Sequence, residues 1–138
     1  MAITLQNGAD TIVLPPDLLW ADEFAWSPVS QGTERSVTGA LLVDVSTRQG
    51  GMPITLTGTE RHAWMQRPEV QALRAWLALP GQVFTLTING QAFTVLFDHG
   101  TDETSRAFVV APVVDYSDPQ DSHYYCSVTL RFITIPTP

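Results

Sequence analysis

Lysine is missing from this 138-residue chain: its seven cations are all arginines, set against 14 acidic side chains, for a net charge of −7 at pH 7. Gripping nucleic-acid phosphates draws on clustered Lys and Arg whose contacts release counterions, so this balance argues against a protein whose main task is holding nucleic acid. Cysteine is nearly absent. Cys126 stands alone, which excludes an internal disulfide, and its β-like surroundings suit a small buried apolar side chain. Long apolar stretches are missing too: the runs at 108–114 and 40–43 fall far short of the ~20 residues that cross a bilayer, so no membrane segment is expected. The first six residues lack a cationic start and a long apolar stretch, so no secretory signal is expected. Charged residues make up only 15% of the chain and hydrophobic ones 44%, which excludes a charge-rich disordered chain. The length fits a single domain, 1–138, able to bury about two-thirds of its unfolded surface without metal or disulfide staples.

What is present reads mainly as β-structure. Asn7-Gly8 between two short apolar runs predicts a hairpin at the start of the chain. Pro15-Pro16 then breaks the ladder, and residues 18–28 gather Trp20, Phe24 and Trp26 with no period of 2 or 3.6. This divides the domain into an N-terminal hairpin and irregular aromatic arm, 1–33, and a β core with one helix, 34–135. Residues 36–46 read as one long strand bulged at Gly39, neighbouring an alternating strand at 53–58. A flanking helix is predicted at about 68–79, opened by Pro68, stopped by Pro80-Gly81, with Val70, Leu73, Trp76 and Leu77 on its apolar stripe. The strongest local signal is Asn89-Gly90. It predicts a two-residue hairpin in which Ile88 faces Gln91, Leu86 faces Phe93 and Phe84 faces Val95, with Thr85 opposite Thr94. Strands at 106–114 and 124–135 follow, the second with Cys126, Val128, Leu130 and Phe132 on one face. The expected fold class is an antiparallel β-sandwich or barrel with one helix packed beside it.

No catalytic or metal-binding motif stands in the sequence. His62, His99 and His123 are scattered, with no zinc-ligand spacing and no cysteine pair, so no metal site and no cofactor are expected. Asp115, Asp118 and Asp121 recur every third residue, which does not reproduce the alternating ligands and terminal Glu of an EF-hand; a solvated loop is the better reading, with a weak cation site the lesser one. Asp98-His99 beside Asp102-Glu103 is accompanied by no nucleophile motif and no phosphate-cradling glycine loop, so no catalytic residue is assigned and no enzyme is expected. Surface chemistry remains. Leu19, Trp20, Phe24 and Trp26 either fold back onto the core or dock on a neighbouring subunit, where Trp and Phe are the usual anchors.

The order of these pieces resembles a small tail-tip or baseplate protein of tailed bacteriophages and prophages, of the distal-tail type related to tail-tube subunits. The residues carrying the likeness are Leu18-Leu19-Trp20, Asp22-Glu23-Phe24, Trp26-Ser27-Pro28-Val29, Thr38-Gly39-Ala40-Leu41, Pro53-Ile54-Thr55-Leu56, the helix ending at Pro80-Gly81, the hairpin of Phe84-Thr85-Leu86 and Phe93-Thr94-Val95, and Pro112-Val113-Val114-Asp115-Tyr116. The resemblance spans nearly the whole chain and contains no catalytic signature. It implies a tail-tube-like β fold whose copies associate head to tail, typically as a hexameric ring that continues the tail tube and lets DNA pass. The implied partners are copies of itself and other tail proteins (tube subunit, tape measure, hub), with DNA only in transit. The implied location is the virion, after synthesis in the bacterial host cytoplasm. An acidic lumen would let DNA slide without sticking, with Asp98, Asp102 and Glu103 expected to face the channel. The competing reading from the residues is a monomeric β-sandwich that presents tryptophans to a polysaccharide.

Overall fold

The computed structural model describes residues 3–48, 50–100 and 107–135. Its first element is a hairpin of β1 (Ile3–Asn7) and β2 (Asp10–Leu14), in which Asn7 lies opposite Asp10 and Gly8 takes a φ of +63° in the tight turn. β3 (Leu19–Trp20) is a short edge strand. β4 (Val29–Arg35) and β5 (Leu41–Thr47) pair with each other and form a separate two-stranded sheet. β6 (Pro53–Thr57) and β7 (Met65–Gln66) lead to α1 (Arg67–Leu77). β8 (Phe84–Ile88), β9 (Gln91–Phe97), β10 (Phe108–Pro112) and β11 (Tyr124–Thr134) complete the chain.

The larger sheet is antiparallel and runs β2-β1-β8-β9-β11-β6-β3, with β10 and β7 also paired to β11. β11 organises it. Thr129 and Leu130 pair with β6 on one edge and with β10 on the other, while Phe132 pairs with both β6 and β9. The ladder to β10 slips between Val109 and Ala111, and Ser127, at a φ of +54°, is the extra residue that bends β11 there. Alternation buries Cys126, Val128, Leu130 and Phe132, and the last three join Leu5, Leu56, Leu86 and Val95 in the core cluster. The path ends at β2 and β3 without closing. The protein is therefore mainly β and consistent with a sandwich carrying one helix, and the barrel alternative does not hold.

The Asn89-Gly90 hairpin has the register its sequence dictates: Phe84 faces Val95, Leu86 faces Phe93, Ile88 faces Gln91 and Thr85 faces Thr94. Asn89 and Gly90 take φ of +50° and +87°, the pair of left-handed residues that such a turn requires. The helix ends two residues short of the expected 79. Gln66 provides no side-chain cap, so the Arg67 N–H donates instead to the His123 carbonyl at 3.2 Å. Leu73 is buried, and Trp76 stacks on Phe84 with centroids 5.5 Å apart.

Two expectations give way here. The division into an arm at 1–33 and a core at 34–135 cuts through β4, and the opening hairpin belongs to the main sheet: β1 pairs with β8, and Ile3, Leu5, Ile12 and Leu14 are core residues. Residues 36–46 are no single strand. Gly39, at a φ of +88°, lies in a loop that reverses the chain, so β5 pairs back onto β4, while β6 pairs with β11 and β3. A bulge and a reversal both use a glycine, and periodicity does not distinguish them when the flanking strands are apolar on one face only.

Candidate interaction surface

The β4–β5 hairpin stands off the body. Each strand is seven residues long, so the ribbon extends roughly 24 Å at ~3.4 Å per residue. Ser30 is half-buried, and every other residue of both strands is exposed. The register sorts the side chains onto two unlike faces. Val29/Thr47, Gln31/Val45, Thr33/Val43 and Arg35/Leu41 form one face, and Ser30/Ser46, Gly32/Asp44 and Glu34/Leu42 the other. One face is thus an apolar row of Val29, Leu41, Val43 and Val45, exposed by 42, 54, 47 and 61%, and the other carries the carboxylates Glu34 and Asp44.

Both ends of the ribbon are tied. At the tip the Ser36 N–H donates to the Ala40 carbonyl (2.8 Å) and the Gly39 N–H to the Ser36 carbonyl (2.9 Å), while the Ser36 hydroxyl accepts from the Ala40 N–H (3.1 Å). At the base the Arg48 N–H donates to the Pro28 carbonyl (2.7 Å), and the Arg48 guanidinium lies 5.9 Å from the centre of the Trp26 ring. The result is a shaped ribbon with an uncovered apolar face. An isolated two-stranded hairpin is at best marginal in water, and contiguous exposed apolar rows mark contact surfaces.

The aromatic segment divides between the two readings of the sequence. Trp20 folds back: it is half-buried and meets Phe93 edge-on at 5.6 Å, although its indole N–H is buried without a partner. Trp26 serves the base of the ribbon. Leu19 and Phe24 remain open, 61 and 92% exposed. Carboxylates fasten this stretch to the body. Asp22 accepts from the Thr55 N–H (2.8 Å) and hydroxyl (2.9 Å), and Asp17 accepts from the N–H of Ala63 (3.0 Å), a residue at a φ of +60°.

No protein family, curated protein or solved structure matches this chain.

Of the acidic trio expected to face a channel, Asp102 and Glu103 lie outside the described residues. Asp98 is half-buried and closes a turn by accepting from the Gly100 N–H at 3.1 Å. The 115–123 loop is held by its own contacts: Tyr116 stacks on His123 at 3.9 Å, and His123 Nδ1 accepts from the Gln120 N–H at 3.0 Å. Among the described residues no three His, Cys, Asp or Glu side chains group to hold a metal, and no helix is long and apolar enough to cross a membrane. Burial pushes the Glu69 carboxyl, in the first turn of α1, above its ordinary 4.5.

Sequence reading missed the ribbon. Its signal was there in Leu41-Leu42-Val43 and Val45, and pairing was needed to show that the opposite strand, with Gln31, Thr33 and Glu34, adds nothing to bury them.

Proposed function

We propose that this chain is a structural component of a tailed-phage tail tip or baseplate, assembling head to tail into a ring of about six copies that continues the tail tube and lets DNA pass. The observation that carries the reading is the β4–β5 ribbon: a projecting, tied hairpin whose apolar row has no cover among the described residues. A patch on one copy that meets a different patch on the next is a heterologous contact, which closes into a ring when the rotation per copy is right. A net charge of −7 on each copy, repeated around the ring, repels the DNA backbone and suits passage over binding.

The polysaccharide reading draws less from the structure. A sugar platform needs several aromatic faces in an open row, whereas Trp20 packs on Phe93, Trp26 lies by Arg48 and Trp76 stacks on Phe84, which leaves exposed Trp64, tilted against Tyr124 at 5.9 Å, as the one tryptophan beside another open ring. Gold-labelled antibody against the chain, applied to tailed particles and viewed by electron microscopy, tests the assignment. Label at the distal end of the tail is expected; particles free of label would contradict it.

A further inference from the structure

The chain around β7 sends its side chains to opposite sides of the sheet. Met65 is fully buried, while Trp64, just before the strand, and Gln66, within it, are exposed. Gln66 lies directly opposite Tyr124 of β11, so these two side chains share a face. Trp64 reaches the same place: its ring centre lies 5.9 Å from that of Tyr124, with the planes tilted by 47°. The result is a corner of two open rings, 43 and 44% exposed, with an uncharged amide beside them. Both rings are held by bonds of their own. The Trp64 indole N–H donates to the Glu60 carbonyl (3.0 Å). The Tyr116 hydroxyl donates to the Tyr124 carbonyl (3.1 Å) and accepts from the Tyr124 N–H (3.2 Å), and the Tyr116 ring stacks in turn on His123.

We propose that Trp64, Gln66 and Tyr124 form a subsite for one neutral sugar residue, a hexose or N-acetylhexosamine. A pyranose has an apolar C–H face and a rim of hydroxyls. The face suits an aromatic ring fixed in place, and the rim suits an amide and a phenol, which between them offer both donors and acceptors. Fixing the rings in advance spares the ordering cost that weakens a shallow site. Charge decides the kind of sugar. None of the three side chains is charged and the chain's net charge is −7, which disfavours uronic and sialic acids. Two rings hold a single residue, so the corner is distinct from the open row that a polysaccharide module needs. It adds a contact to the structural role proposed above and does not depend on ring formation.

The test titrates the full chain with N,N′-diacetylchitobiose or methyl β-galactoside to about 20 mM, well past the ~1 mM range expected of one weak subsite. The indole N–H signals of the four tryptophans are followed by NMR, with Trp64 assigned through Trp64→Phe. With at least one of the two sugars the Trp64 signal should move while those of Trp20, Trp26 and Trp76 stay. Affinities of the variants are read from saturation transfer to the sugar protons. Trp64→Ala should weaken binding about tenfold, Trp64→Phe less, and Gln66→Ala about threefold, all with unchanged urea unfolding because neither residue belongs to the core. A Trp64 signal unmoved by both sugars, binding unchanged in Trp64→Ala, or equal binding of glucuronic acid would overturn the proposal. So would a Trp64 signal moved by a proline-rich peptide and by neither sugar, or self-association lost in Trp64→Ala with no sugar bound, which would make the corner a protein contact.

Discussion

Replacing Val43 and Val45 together by Ser removes the centre of the ribbon's apolar row while leaving the ladder to β4 intact. Fully covering an exposed Val or Leu is worth about 1.5–3 kcal/mol, so covering the roughly half-exposed side chains here yields about 1 kcal/mol each and about 4 kcal/mol for the row. Ordering and desolvation at an interface offset part of that sum, and the difference between variants is the firmer quantity. The double variant should lose about 2 kcal/mol of association, close to a 30-fold rise in dissociation constant by sedimentation. Its unfolding free energy in urea should barely move, within about 0.5 kcal/mol, because neither residue reaches the core. The opposite pattern, a clear fall in the stability of the body with unchanged association, would refute the reasoning.

Other positions test the fold that presents the ribbon. Leu130 is fully buried on β11, so Leu130→Ala should cost about 2–5 kcal/mol in urea unfolding. A Cβ on Gly58 would sit 2.9 Å from the Ala63 Cβ, so Gly58→Ala should cost about 1–3 kcal/mol; Ala63→Gly in the same chain should recover most of it, since Ala63 holds a φ of +60°. Asp22→Ala removes both bonds to Thr55 and should cost about 1–2 kcal/mol, reported by the fluorescence of nearby Trp20. Glu69 is protonated more readily folded than unfolded, so its contribution to stability should fall as pH rises from 4.5 through the raised folded value and stay flat above. Glu69→Gln should remove that part of the pH profile; an unchanged profile would contradict the burial argument.

Local chemistry was legible where one segment determined the answer. The Asn89-Gly90 turn fixes the register of β8 and β9 because two consecutive left-handed residues leave a single short pairing. Pro68 and Pro80-Gly81 bracket α1 to within two residues, since proline favours a helix start and the Pro-Gly pair cannot continue it. Alternation along β11 gives its buried face directly. The partners of β5 were not legible. Its apolar residues could bury against β6 or stand in a ribbon, and the choice depends on β11 and β3 taking the two edges of β6, a long-range event with no local signature. The aromatic segment was half legible: its irregularity marked contact, yet only the fold separates Trp20, packed on Phe93, from the open Phe24.

The central claim is that the ribbon is an intermolecular element of a tail-tip ring. An electron-microscopic reconstruction of the tail tip of a particle containing this chain tests it most directly. The account predicts a closed ring in which the apolar row on each copy's residues 29–47 is covered by a neighbouring subunit. A ring density with the ribbon free in solvent, or a tip into which this fold cannot be placed, would contradict it.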